Sequence, residues 1–165
     1  MPALAVGTLA PDFTLSTMDG KPFVLRDALA RGPVLLVFFK VSCPVCQYAL
    51  PFVERIYRAY GQQPLTIAAV SQNDRKDTAS FLKEYGVTFP VLLDDTSTYP
   101  VSNAYGLTNV PTLFWIEPDG EISISSVGWV KPEIEDMNRR SAKLNAIAPK
   151  PVFRAGEEVA DFRAG

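Results

Sequence analysis

The sequence contains no histidine and only two cysteines, Cys43 and Cys46. Two thiols without an imidazole cannot supply the four Cys/His ligands of the usual zinc site within one chain. Hydrolysis of the Cys–His or Ser–His kind lacks its base. The two cysteines stand three positions apart, and the loop they would close is too short to staple a fold. Positive charge is not in excess either: 16 Lys and Arg against 18 Asp and Glu give a net charge of -2, with no basic field for a phosphate backbone. No apolar run approaches the ~20 residues of a membrane span, and the longest obvious one is Val34 to Phe39. The opening "MPALAVGTLAPDF" lacks a basic stretch followed by a long apolar core. No signal peptide is read there, and the expected location is cytoplasmic, or extracytoplasmic if a signal has been removed. "GLTNVP" and "RGPV" lack the repeated glycine spacing of a nucleotide loop. No cofactor, metal or nucleic-acid partner is expected.

What is present suits one soluble domain. A chain of 165 residues, 47% hydrophobic and 21% charged, is long enough to bury about 70% of its extended-chain surface without staples. "DFTLSTMDGKPFVL" reads as two short strands around the turn Asp19-Gly20, and "RDAL" as a helical turn. "VLLVFF" is a continuous apolar run, the signature of a strand covered on both faces. From Pro44 to Tyr60 the period becomes helical, with Ala49, Phe52, Val53, Ile56 and Tyr60 on one side and Gly61 at the end. "LTIAAVS" is a second buried strand, and 77–86 a helix with Phe81, Leu82 and Tyr85 inward. A short extended piece (89–94), a short helix (99–106) and a hairpin turned at Pro118-Asp119-Gly120 follow. The last helix starts at Pro132, with Ile134, Met137, Ser141 and Leu144 on its inner face. The order ββ-βα-βα-(βα)-ββ-α defines an α/β domain over residues 1–147. Residues 148–165, with Phe-Arg-Ala-Gly twice (153–156 and 162–165), read as a tail, extended or disordered. Trp129 is expected half exposed. Asp94-Asp95 and Glu157-Glu158 are expected on solvated faces.

The cysteines fall at a strand-to-helix junction. With Cys43 ending the strand and Pro44 opening the helix, the missing proline N–H costs nothing. The free N–H groups and the positive end of the helix dipole then face the Cys43 sulfur and favour the reactive thiolate. Cys46, about one turn further on, lies within disulfide reach and deeper. The pair is suited to open and close around a mixed disulfide.

Residues 7 to about 145 resemble the thioredoxin superfamily, and within it the TlpA/ResA-like thiol–disulfide oxidoreductases and related redoxins. "GTLAPDFTLSTMDGKPFVLRD" is similar to the family's N-terminal hairpin and "VLLVFFKVSCPVC" to its strand and active site. Pro51 stands where a proline kinks the family's active-site helix. "FLKEYGVTFPVLLDDTSTYPVSNAYGLTNVPTLFWIEPDG" resembles its central insertion and following strand. The resemblance implies a central mixed sheet with helices on both faces, and a cis Pro111 within "NVPT" beside the cysteines. It further implies that Val110 offers its backbone to an extended substrate, with Pro44, Val45 and Pro111 completing the substrate-binding set. Partners would be protein dithiols or disulfides, with electrons from a thioredoxin-reductase-type or membrane donor.

Departures from the family pattern are specific. The position of the buried aspartate usual in thioredoxins is Val37, that of the glutamate common in ResA-like proteins is Ala49, and Ser42 replaces a common tryptophan. Lys40 is close in sequence and expected to be solvated. Peroxiredoxins share the hairpin and "SQND", but the positions of their peroxide-holding Thr/Ser, Pro and Arg are Lys40, Leu36 and Pro111 here. A thiol peroxidase is therefore the weaker alternative, and a non-catalytic binding module with this fold is weaker still, since a pure binder needs no reactive pair.

Overall fold

The structure, a computed structural model, describes residues 2–165. Its centre is a seven-stranded mixed sheet in the order β2-β1-β5-β4-β3-β6-β7. β1 (Thr14–Thr17) and β2 (Pro22–Val24) form the N-terminal hairpin, and α1 (Leu25–Leu29) follows. β3 (Val34–Phe39) runs parallel to β4 (Thr66–Ser71), and β4 parallel to β5 (Val91–Leu93). β6 (Thr112–Ile116) returns antiparallel beside β3 and turns into β7 (Ile122–Val127).

The continuous apolar run of β3 has the expected consequence: all six of its residues are buried. Alternate side chains feed two cores, as the twofold period of a strand requires. Leu35, Val37 and Phe39 face one core with Trp115, Ile56 and Met137, under α2 (Pro44–Tyr60), α3 (Arg75–Tyr85) and α5 (Lys131–Leu144). Val34, Leu36 and Phe38 face the other with Phe114, Leu25 and Tyr105, beneath α1 and α4 (Pro100–Ala104). Burying each such side chain contributes roughly 1.5–3 kcal/mol, so covering the sheet on both faces fixes β3, and with it the residues just beyond Phe39.

The helix boundaries follow local chemistry. α3 begins two residues before the expected start because Asp74 caps it, accepting the Asp77 N–H at 2.8 Å. It stops at Gly86, whose φ of 67° is left-handed. α2 continues through Pro51 to Tyr60.

Three expectations are corrected. Trp129 is wholly buried, not half exposed, because the segment after α5 covers it: Phe153 packs at 6.1 Å centroid to centroid, and the indole N–H donates to the Ala160 carbonyl at 2.6 Å. Asp94 is buried, not solvated. Its carboxylate accepts the Ser102 N–H (2.8 Å) and hydroxyl (2.7 Å) and the Val101 N–H (3.3 Å), anchoring α4. Glu157 is half-buried in a two-bond pair with Arg55 at 2.7 and 2.8 Å, while Glu158 is exposed.

Residues 148–165 run back over α2 and α5 towards the sheet end that carries the cysteines. Val152 is buried, Phe153 packs on Phe52, and β9 (Phe162–Arg163) pairs antiparallel with β8 (Trp129–Val130). Among the described residues no helix is long and apolar enough to cross a membrane.

Candidate active site

Cys43 is the N-cap of α2. Its backbone is extended (φ −84°, ψ 115°), Pro44 occupies the first turn, and the Cys43 sulfur accepts the Cys46 N–H at 3.1 Å. Sulfur thus takes one of the helix donors that has no partner within the helix. The loop that delivers Cys43 is held from both sides. The Asn73 side chain accepts the Val41 N–H at 2.9 Å, the Gln47 amide donates to the Val41 carbonyl at 3.0 Å, and the Cys43 N–H turns back to the Lys40 carbonyl at 3.2 Å.

Opposite stands the loop before β6. The Val110–Pro111 peptide is cis. The Cys43 thiol donates to the Val110 carbonyl at 3.3 Å, so Cys43 bridges the helix start and this loop. Thr112 Oγ1 donates to the Asn109 carbonyl at 2.8 Å and fixes the loop against β6. Pro111 is buried, Val110 and Val45 are half-buried, and Pro44 is exposed. Together Lys40, Ser42, Cys43, Gln72, Val110 and Gly165 border an open groove of about 360 Å³.

The two thiols, both free, differ sharply in surroundings. Cys43 is part-exposed, whereas Cys46 is fully buried. Burial, and secondarily the Cys43 sulfur beside it, push the Cys46 thiol far above its ordinary value of 9.0, so it is protonated at neutral pH. Val37 and Ala49 are both fully buried in the same core as Cys46 and bring no carboxylate to it. Lys40 is exposed at the groove rim.

Sequence reasoning brought Cys43, Cys46, Val110, Pro111, Pro44 and Val45 to one place, and the structure has all six around the helix start and the facing loop. It missed Asn73 and Gln47, which hold the Cys43 loop, and Tyr48, whose hydroxyl accepts the Ala160 N–H at 3.1 Å. It also missed Gly165 at the groove. "SQND" carried a signal for Asn73, because an asparagine just past a buried strand end can reach the neighbouring loop.

A part-exposed thiol on a helix N-terminus, with a sealed thiol one turn behind it on a thioredoxin-like sheet, defines a thiol–disulfide oxidoreductase. By sequence the chain belongs to the AhpC/TSA family, whose profile matches residues 6–125. It is 34% identical over 132 residues to the thiol-disulfide oxidoreductase ResA of Geobacillus thermodenitrificans, covering 79% of this chain and 74% of that one. With ResA of Geobacillus kaustophilus the identity is 32% over 142 residues, covering 86% and 80%. Among solved structures it resembles a putative thiol:disulfide interchange protein DsbE from Chlorobium tepidum, with TM-score 0.71 and 25% identity over 86% of this chain and 99% of that one.

Proposed function

We propose that this oxidoreductase exchanges disulfides with polypeptide clients through a mixed disulfide on Cys43, which Cys46 resolves. The observation that carries this reading is the asymmetry of the pair: one sulfur at the surface on a helix N–H, the other sealed and protonated. In the reducing direction the Cys43 thiolate attacks a client sulfur. The S–S bond breaks, the first client thiolate leaves and takes a proton, and a Cys43–client disulfide forms. Cys46 then loses its proton to water and attacks the Cys43 sulfur. The second client thiolate leaves, and the protein keeps the disulfide. Two electrons have passed to the client. The oxidising direction is the reverse.

Cys46 needs no permanent charge in this cycle. It deprotonates only while the mixed disulfide is in place, and its burial keeps it from competing with Cys43 as the first nucleophile. The Val110 backbone, with Pro111, Pro44 and Val45 around it, holds the client main chain. An external dithiol donor, of thioredoxin-reductase type or at a membrane, regenerates the dithiol. The ResA relatives carry the name of this activity.

The test is trapping. The Cys46→Ser protein is expected to accumulate covalent, dithiothreitol-sensitive adducts with a disulfide-bonded polypeptide such as insulin. Cys43→Ser should form none and resist iodoacetamide at neutral pH. Adducts on Cys46 in the Cys43→Ser protein would reverse the assigned roles.

A further inference from the structure

The segment after α5 behaves differently on either side of Ala160. Up to Ala160 it is built in: Val152 is buried, Phe153 packs on Phe52, and Glu157 grips Arg55. Ala160 itself is held at both ends, its N–H by the Tyr48 hydroxyl at 3.1 Å and its carbonyl by the Trp129 indole at 2.6 Å. From Asp161 onwards every residue is exposed, Phe162 to 62%. This last stretch is fastened by main chain, one side-chain amide and one cation. The Lys131 N–H donates to the Asp161 carbonyl at 2.9 Å, β9 pairs with β8 over two residues, and the Asn109 side chain donates to the Gly165 carbonyl at 3.0 Å. The Arg163 guanidinium lies 4.1 Å from the Tyr48 ring centre. Few buried contacts and exposed backbone hydrogen bonds put such a stretch at the low end of local stability, while its root is firm.

Its position is what matters. Gly165 borders the groove that contains Cys43, on the side of Val110. Backbone rests on backbone at both ends of the crossing. A Cβ on Gly128 would come within 2.5 Å of the Arg163 carbonyl oxygen, and a Cβ on Gly165 within 2.5 Å of the Val110 carbonyl oxygen. Strand addition to an exposed edge works this way, with main chain supplying affinity and side chains selecting.

We propose that residues 161–165 are a tethered occupant of the client-docking edge, and that a client docks only after they lift off. The edge is β8 together with Asn109 and Val110. It takes an extended client strand that places a cation over Tyr48 and a small residue against the Val110 carbonyl. This inference rests on the exchange reaction proposed above. The closed fraction reduces apparent client affinity in proportion: an edge open one-tenth of the time binds about tenfold more weakly. A small disulfide needs the sulfur and not the edge, and escapes this reduction.

Two full-length variants test it. Arg163→Pro removes the Arg163 backbone donor opposite Trp129 together with the guanidinium over Tyr48. Gly165→Val puts a side chain against the Val110 carbonyl and forces the segment off it. Both are expected to raise kcat/KM for insulin reduction by about five- to tenfold, and Arg163→Pro, at a residue that does not border the Cys43 groove, to change the rate with 2-hydroxyethyl disulfide by less than about twofold. Unchanged insulin rates in both variants overturn the proposal, as does an equal rise for both substrates, which would mean that the segment shields only the sulfur. Failure of the exchange reaction is visible separately: wild-type insulin reduction would then be absent, or would survive Cys43→Ser, and the tethered-occupant proposal falls with it.

Discussion

The distinction between two chemically identical side chains is made by their immediate surroundings. Cys43 has a helix N–H on its sulfur, and Cys46 has a sealed apolar core. Burial that keeps Cys46 protonated also links its titration to stability. Its value is raised on folding, so its contribution is fully present below the unfolded value of 9.0 and is lost as pH rises beyond that. Thermal unfolding of the reduced protein from pH 8 to 11 should show a steeper fall for wild type than for Cys46→Ala; parallel curves would contradict a buried, protonated thiol. Asn73 is the other decisive residue. Replacing it with alanine leaves the part-buried Val41 N–H without its partner, which costs about 1–3 kcal/mol. A lowered melting temperature together with slower exchange is expected for Asn73→Ala, and exchange at the wild-type rate would show that the loop holds Cys43 without it.

At the scale of elements, the strands and helices that surround the site were legible because their patterns are local. "VLLVFF" is apolar without interruption, the 44–60 segment repeats every three to four residues, and both hairpin turns carry Asp-Gly. The cysteine pair, the proline between them and the "NVPT" loop could be placed from such patterns together with a family resemblance. The misread residues depend on partners that no local pattern announces. Asp94 is buried because a hydroxyl and two N–H groups of α4 come back to it. Trp129 is buried because Phe153 and Ala160, both after α5, close over it. The segment after α5 has no period of 2 or 3.6 to reveal a face, and its anchors are single residues. Its principal ionic anchor is pH-dependent. Two hydrogen bonds from Arg55 lower the Glu157 carboxyl from its ordinary 4.5 to about 2. A lowered carboxylate contributes stability above its unfolded value and loses that contribution as pH falls towards the folded one. The difference in melting temperature between wild type and Glu157→Gln should therefore be constant above about pH 5 and shrink between 4.5 and 2. A difference independent of pH across that window would show that the Arg55–Glu157 pair does not anchor the segment.

Across the whole molecule, one sheet organises the chemistry. β3 and α2 deliver Cys43, β6 delivers Val110 and Pro111 to face it, and the core between them seals Cys46. Membership of the AhpC/TSA family leaves open whether such a thiol reduces disulfides or peroxide, and the ResA relatives favour disulfides. A second thiol stands one turn behind the first, and the resemblance read from the sequence puts Lys40, Leu36 and Pro111 where a peroxiredoxin would carry its peroxide-holding groups. The most direct measurement gives the reduced wild-type protein a polypeptide disulfide and hydrogen peroxide in separate stopped-flow experiments. Disulfide exchange should be the faster reaction by at least about a hundredfold, consistent with a thiolate attacking sulfur without peroxide-orienting groups. Rapid consumption of peroxide by a protein that leaves polypeptide disulfides intact would contradict the account.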